Sequence, residues 1–328
     1  MFARKEGCHL KVVIFSKLLR QLKRNHFFYY LNSEKNRLIS KMHYYCYSDT
    51  DYIRKLYKKS FGVYPDIECP SKFSEKLQWL KINYRIPDMS ICADKYKVRE
   101  YLSSIGYSHI LNEIYGTYHD ANEIDTAKLP DKFVLKATHG SGWNIVCKNK
   151  NNFKLKAWKK VLCSWLRQNY YYYGREWPYN QIKPLLICEK YLETHSGVLY
   201  DYKFYCFNGK VEFIKSSDDM RVIPDKFYDT SWVLKDERYS TDEVTSTAIP
   251  KPINLREMIT IAEDLAKMFP FVRVDLYDVD GKIVFGEMTF YPTGGFLPFY
   301  PESYDKDLGD KLNLPQINNS VKKVTTSP

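Results

Sequence analysis

What this sequence lacks narrows it first. Its eight cysteines, Cys8, Cys46, Cys69, Cys92, Cys147, Cys163, Cys188 and Cys206, stand singly. With no C-x-x-C pair and no Cys/His cluster, neither a zinc site nor a disulfide framework is indicated, and a reducing cytoplasm fits best. No apolar run approaches the roughly 18 residues that span a bilayer. The early run Val12-Val13-Ile14-Phe15 is too short for a signal peptide, and no small-residue cleavage site follows it. No internal repeat or low-complexity tract is visible. Neither G-x-G-x-x-G nor a Walker A lysine occurs, which argues against dinucleotide-binding and P-loop folds.

What is present is a chain of 328 residues, 44% hydrophobic and 16% aromatic, long enough for two or three layers around a substantial core. The net charge of +11 looks like a nucleic-acid signal until it is located. Residues 1–60 hold 14 Lys and Arg against 4 Asp and Glu, which leaves 36 against 35 for the other 268 residues. The basicity belongs to an amino-terminal arm, and no nucleic-acid partner is expected. Within 11–24, Ile14, Phe15, Leu18, Leu19 and Leu22 share a helical stripe while Lys17, Arg20 and Arg24 point away. That pattern suits peripheral contact with an anionic membrane surface or packing on the protein's own body.

Residues 92–110 predict a helix, with Asp94 as cap, Val98, Tyr101, Leu102 and Ile105 as the buried stripe and Gly106 closing it. Residues 132–149 predict two short strands around a loop holding Gly140 and Gly142, with Val134 and Lys136 on one face. Residues 151–172 and 254–269 are helical by period, and 185–193 is an apolar strand ending in charge. Asn208-Gly209 predicts a tight hairpin turn within 200–217, with Asp201 and Lys203 looking the same way.

The stretch VRVDLYDVDGKIVFGEMTFYPTGG, 272–295, sets three charges on strands otherwise fit for a core. A three-residue loop Val279-Asp280-Gly281 would pair 278 with 282 and give the odd-numbered residues one face. Arg273 would then oppose Glu287, with Asp275 diagonal and Thr289 next along. A two-residue loop would instead send Asp275 and Glu287 to opposite faces. Two carboxylates and a hydroxyl are hard oxygen ligands, suited to Mg²⁺ that keeps part of its shell for phosphate.

Six segments taken together carry a resemblance: FSEKLQWLK (73–81), ADKYKVREYL (93–102), LPDKFVLKATHGSGWNIV (129–146), NYYYYGREWPYNQIKPLLICEKYLE (169–193), DYKFYCFNGK (201–210) and RVDLYDVDGKIVFGEMTFYPTGGF (273–296). In wording and order they resemble the TupA-like ATP-grasp proteins of cell-envelope polysaccharide and teichuronopeptide synthesis, from about residue 50 to 300. The resemblance implies an α/β (α+β) chain with the ATP-grasp fold, two α+β subdomains clasping ATP, preceded by a basic helical arm. Its implied boundaries are the arm at 1–60, an N-terminal α/β part at 61–130, a small glycine-loop subdomain at 131–200, a C-terminal subdomain with the metal site at 201–315 and a flexible tail at 316–328.

The resemblance also implies ATP and Mg²⁺, bound between the 132–149 and 272–290 hairpins. Lys95 and Lys136 match the lysines that reach the nucleotide phosphates, and His139, Gly140, Ser141 and Gly142 match the loop that folds over them. Glu189, Lys190 and Leu192 match the strand that meets adenine, and Asp201 the acid that takes the ribose. Asp275 and Glu287 match the Mg²⁺ carboxylates, with Arg273 beside the transferred phosphate and Lys203 grouped with it as catalytic. Thr289 stands where ligases of this superfamily usually place an Asn metal ligand, and Thr138 where the family often has Asn.

In the superfamily's chemistry a carboxylate attacks the γ-phosphate of ATP and an amine captures the acyl phosphate. The implied partners are a uronic-acid-containing saccharide and an amino acid or other amine, met in the cytoplasm or at the inner face of the membrane during capsule, O-antigen or teichuronopeptide synthesis. Three rivals stand beside this ligase. An ATP-grasp sugar kinase would release ADP without forming an amide. For a nucleotide-sugar glycosyltransferase, the lysine pair would be redundant on a diphosphate donor. A non-catalytic scaffold is opposed by the retained carboxylates and lysines. The aromatic run 169–179 reads as a core helix end or as a platform for sugar faces.

Overall fold

The computed structural model describes residues 26–218, 223–241 and 247–316, so the basic stripe at 11–24 lies outside the described residues. The chain opens with α1 (His26–Cys46) and α2 (Asp49–Phe61). Local chemistry fixes α2: the Ser48 hydroxyl caps the Asp51 N–H, acids occupy the first turn and lysines the last, and Gly62 ends it in the left-handed conformation. Next come α3 (Phe73–Asn83), α4 (Pro87–Ala93), α5 (Val98–Ser104), β1 (Ile114–Tyr118), β2 (Phe133–Ala137) and β3 (Asn144–Cys147). After α6 (Leu155–Leu166), the single turn α7 (Tyr171–Gly174) and β4 (Leu186–Lys190), four strands follow: β5 (Tyr200–Phe207), β6 (Lys210–Asp218), β7 (Lys226–Tyr228) and β8 (Arg238–Tyr239). The last elements are α8 (Leu255–Ala266), β9 (Phe271–Val279), β10 (Lys282–Thr289), β11 (Phe299–Tyr300) and α9 (Ser303–Lys311).

These elements form two units that interleave along the chain. The described part of the first comprises 26–46, 114–169 and 183–191; that of the second comprises 47–113, 170–182, 192–218, 223–241 and 247–316. The basic arm is therefore divided, α1 going to the first unit and α2 to the second.

The first unit is an antiparallel sheet in the order β1-β4-β2-β3. Period-two alternation buries Phe133, Leu135, Leu186 and Cys188 in a core with Val161, Leu162 and Trp165 of α6. The opposite face carries Lys136 and Glu189. Along α6, α1 is held by Tyr29 edge-on to Trp165 at 6.3 Å and by the Ser33 and Ser164 hydroxyls at 3.1 Å.

The second unit is built on an antiparallel sheet in the order β10-β9-β5-β6-β7. Val272, Val274 and Leu276 of β9, with Tyr202, Phe204 and Cys206 of β5, share a core with Met258, Ile261, Ala262 and Leu265 of α8. Full burial of each Val, Leu, Ile, Phe or Met side chain among these stabilises by about 1.5–3 kcal/mol relative to exposure. The sheet's other face carries the charged residues of the candidate site.

Two predicted helices are shorter than their periodicity suggests. Over 92–110 the chain breaks between α4 and α5, where the Asp94 carboxylate accepts the N–H groups of Tyr96 and Lys97 at 2.9 and 3.3 Å. Val98 and Leu102 are buried as expected, but Ile105 is 40% exposed because α5 stops at Ser104 and Gly106 turns the chain with φ of +88°. Over 151–172 only Leu155–Leu166 forms the long helix. The tyrosine-rich segment contributes Tyr171 and Tyr179 to buried positions rather than to an open aromatic surface. Among the described residues no helix is long and apolar enough to cross a membrane.

Candidate active site

The β9–β10 hairpin departs from the predicted register. Asp280 and Gly281 both have positive φ, +53° and +86°, and Lys282 pairs with Val279, so the turn has two residues. That turn alone would part Asp275 from Glu287. The ladder slips after Phe285, however, and beyond Gly286 it pairs Glu287 with Asp275 and Thr289 with Arg273. Only glycine fits at the slip: a Cβ on Gly286 would lie 2.9 Å from the Asp275 carbonyl oxygen and 3.0 Å from the Tyr277 ring. The four odd-numbered residues thus share a face as expected, with Arg273 opposite Thr289 instead of Glu287.

On that face Arg273 is the hub. It donates from Nε and Nη2 to the two Asp275 oxygens, each at 2.6 Å. Nη2 also reaches Glu287 Oε1 at 2.9 Å and Thr289 Oγ1 at 3.1 Å, and Thr289 donates to Glu287 at 3.0 Å. Lys95 Nζ lies 3.6 Å from the other Glu287 oxygen. Burial pushes the Asp275 carboxyl up to about 7 while Arg273 pulls it down. The charge on these strands is therefore balanced within the protein even with no ligand.

The charged row continues across the sheet. Asp275 faces Lys203 on β5, and Lys203 faces Lys215 on β6. Lys203 pairs with Asp201 and Lys215 with Asp225. Burial works against the Asp225 charge, but Lys215 prevails and holds its pKa below the usual carboxylate range. The second Asp201 oxygen, Oδ1, is buried with no hydrogen-bond partner among the described residues, the condition of an acceptor awaiting a donor. Lys215 and Asp225 escape sequence reasoning, because a lone lysine in VEFIKSSD looks like an ordinary edge residue.

A second group of unforeseen residues supports the end of β10. Thr293, Gly294 and Gly295 all have positive φ, and α3 pins this turn. Gln78 Nε2 donates to the Gly294 and Gly295 carbonyls at 3.3 and 2.9 Å, while Lys81 Nζ donates to Gly294 and, at 3.1 Å, to Gly174. Both side chains are fully buried. Glu176, 7% exposed, feels Lys81, Glu287 and Arg273. Burial pushes Glu176 up and Lys81 down, each to about 7. The spacing of Ser74, Gln78 and Lys81, polar residues on one turn-by-turn stripe of α3, was the available signal.

The first unit holds the remaining sequence-derived residues. Lys136 Nζ and Glu189 Oε2 pair at 2.6 Å on the sheet face away from α6. His139 is turned inward: 1% exposed, its Nε2 lies 2.9 Å from the Trp165 carbonyl and its ring meets Trp143 edge-on at 5.3 Å. The imidazole thus anchors the loop from within. Gly140 is required by space, since a Cβ would lie 2.5 Å from the Trp143 ring, and Gly142 by its φ of +71°. Ser141, Gly142 and Lys190 are exposed, and Leu192 is half-buried where the chain enters the second unit.

Asp278 and Asp280 form an Asp-x-Asp pair at a strand end, the place to look for a glycosyltransferase metal. Asp278 is instead consumed by the N–H groups of Gly281 (2.7 Å) and Ile253 (2.9 Å), and Asp280 by the N–H of His195 at 3.1 Å.

Against this geometry, a family model of TupA-like ATP-grasp proteins matches residues 75–313. The chain belongs to the TupA-like ATP-grasp family. That bears out the resemblance carried by the six segments and the ATP-grasp fold it implies. Among solved structures, the D-alanine–D-alanine ligase of Helicobacter pylori is similar with a TM-score of 0.40 and 15% identity over 78% of this chain and 77% of that one. The corresponding Bacillus anthracis enzyme has a TM-score of 0.38 and 18% identity, over 66% of this chain and 63% of its own. The ATP-grasp ligase PsnB, complexed with a minimal precursor, Mg and ADP, has a TM-score of 0.34 and 13% identity over 66% and 57%. The chain thus spans less than two thirds of the length of the last two. At these scores the likenesses add nothing to the family assignment. No curated protein matches the sequence.

The donor set fits a magnesium ion. Among the described residues no group of three His, Cys, Asp or Glu is placed to hold a metal. Two carboxylates and a hydroxyl nevertheless suit an ion that dehydrates reluctantly and completes its shell with water and phosphate oxygens.

Proposed function

We propose that this protein is an ATP-dependent carbon–nitrogen ligase that joins a carboxylate to an amine through an acyl phosphate. In the same reading the carboxylate is a uronic acid of a cell-surface saccharide or its precursor, and the amine an amino acid. The observation that carries it is the alignment of Glu287, Asp275 and Lys203 across three strands, with Arg273 among them. Balanced within itself, a row of this kind supplies both signs of charge in fixed positions, as a phosphoryl-transfer surface needs.

Each residue then has a task. Lys95 and Lys136 neutralise phosphate charge, and the exposed part of the 139–142 loop offers backbone N–H groups. Glu189, Lys190 and Leu192 meet the base, while Asp201 Oδ1 accepts a ribose hydroxyl. Asp275, Glu287 and Thr289 hold Mg²⁺, which supplies charge neutralisation to the triphosphate when bound. Arg273, gripped by four acceptor atoms from three residues, stands as a preorganised positive charge for the transferred group, with Lys203 beside it. The test is ADP release from ATP·Mg²⁺, screened over glucuronic and galacturonic acids with amino acids. Amide product with stoichiometric ADP supports the ligase; ADP with a phosphosugar and no amide would replace it with a kinase.

A further inference from the structure

The face of α2 turned away from the core, with Tyr47 before the helix and the turn after Gly62, lines an open cleft of about 830 Å³. That volume is within the range of ligand clefts. Its walls carry four cations, Arg54, Lys55, Lys58 and Lys59, and two tyrosines, Tyr47 and Tyr64. None of the four cations pairs with a carboxylate among the described residues. Lys55 Nζ donates to the Tyr47 hydroxyl at 3.0 Å and lies 4.5 Å from the centre of that ring, while Lys58 Nζ lies 4.2 Å over Tyr64. Asp51 also lines the cleft, one turn before Lys55 at a spacing that commonly forms an ion pair. The Ser48 hydroxyl bonds its carboxylate at 2.6 Å instead.

Arg54 with Lys58 and Lys55 with Lys59 are like-charge pairs one helical turn apart, a spacing that destabilises a helix. The helix dipole offsets this for Lys58 and Lys59 in the last turn, but not for Arg54 and Lys55. The tyrosine rings hold two of the ammonium groups in place without neutralising them, so the charge stays available to an anion. We propose that this cleft binds an acidic saccharide chain. A single compact anion would occupy one pair of cations and leave the rings unused. A chain with repeated carboxylates engages both pairs, and the C–H faces of its pyranose rings cover aromatic surface, of which Tyr64 is 61% exposed. A layer of lipid headgroups meets a flat or protruding face and does not enter a cleft. The binding stands apart from the nucleotide chemistry; its consequence, retention of the acceptor chain by the enzyme, rests on the ligase reading.

The test is titration calorimetry on the full chain without nucleotide, using galacturonic acid and its oligomers of increasing length. Neutral dextran oligomers, inorganic pyrophosphate and phosphatidylglycerol vesicles are the competing probes. The expected result is oligogalacturonate binding that tightens with length, no binding of dextran, and a loss of about tenfold in affinity in Arg54→Gln/Lys59→Gln. Tyr64→Ala should weaken the oligomer and leave pyrophosphate unaffected, and each variant should keep the ligand-free melting midpoint of the wild type. A wild type that binds no oligomer overturns the proposal. So does binding undiminished in Arg54→Gln/Lys59→Gln, an oligomer affinity untouched by Tyr64→Ala, or tighter binding of pyrophosphate or of the vesicles than of the oligomers. If Arg54→Gln/Lys59→Gln does not fold, Lys55→Gln/Lys58→Gln takes its place with the same two outcomes. A protein that binds the oligomers yet forms no amide from any uronic acid contradicts the ligase reading and leaves the assignment of the cleft standing.

Discussion

Asp275 and Glu287 face each other across β9 and β10 because Gly286 is bulged out of the ladder between them. Without the bulge, the two-residue turn at Asp280-Gly281 would leave one carboxylate on the charged face and send the other into the apolar one. Gly286→Ala is expected to force its Cβ against the Asp275 backbone oxygen, 2.9 Å away. We expect a loss of about 1–3 kcal/mol of stability together with weakened ATP·Mg²⁺ binding, read by denaturant unfolding and by nucleotide titration. Full nucleotide affinity in a destabilised variant would separate the bulge from the site.

How much of this was legible in the sequence differs from element to element. Alternation placed β2, β5 and β9, an apolar run ending in charge placed β4, and Asn208-Gly209 placed its turn, because period, composition and turn chemistry are local. The shared face of Asp275 and Glu287 was legible, but its cause was not: a bulge at a lone glycine gives no pattern until the partner strand is known. His139 looked like a ligand-facing loop residue, and only the packing of Trp143 and Trp165 shows it turned inward. Gln78, Lys81 and Glu176 converge on one turn from segments about a hundred and more residues apart, which no window of sequence can show.

His139→Ala tests the anchoring role. Removing a buried imidazole bonded to the Trp165 carbonyl should cost about 1–3 kcal/mol and leave the nucleotide affinity of the folded protein within a few-fold of wild type. A stable variant that no longer binds ATP would make the imidazole a ligand group after all.

The Lys81 and Glu176 pair gives a pH dependence with a definite sign. Glu176, raised from 4.5 to about 7, binds more protons folded than unfolded across that interval, so its contribution to stability falls as pH rises through it. Lys81, lowered from 10.5 to about 7, binds fewer protons folded, so its contribution recovers as pH rises above 7. The wild type should therefore show a trough in unfolding free energy near neutrality relative to the Lys81→Met/Glu176→Gln double variant. Parallel pH profiles from 5 to 9 would contradict the assignment.

The central claim is that the Arg273–Asp275–Glu287 face exists to meet a metal-bound nucleotide, and Glu287→Gln with and without ATP·Mg²⁺ tests it most directly. Glu287 is about a third exposed and Arg273 keeps both bonds to Asp275, so the substitution should alter the ligand-free protein by no more than about 1 kcal/mol. The wild-type midpoint should rise with ATP·Mg²⁺ by mass action, and in Glu287→Gln that rise should vanish along with ADP release. An undiminished nucleotide shift in Glu287→Gln would contradict the account and return the hairpin to a structural ion-pair network.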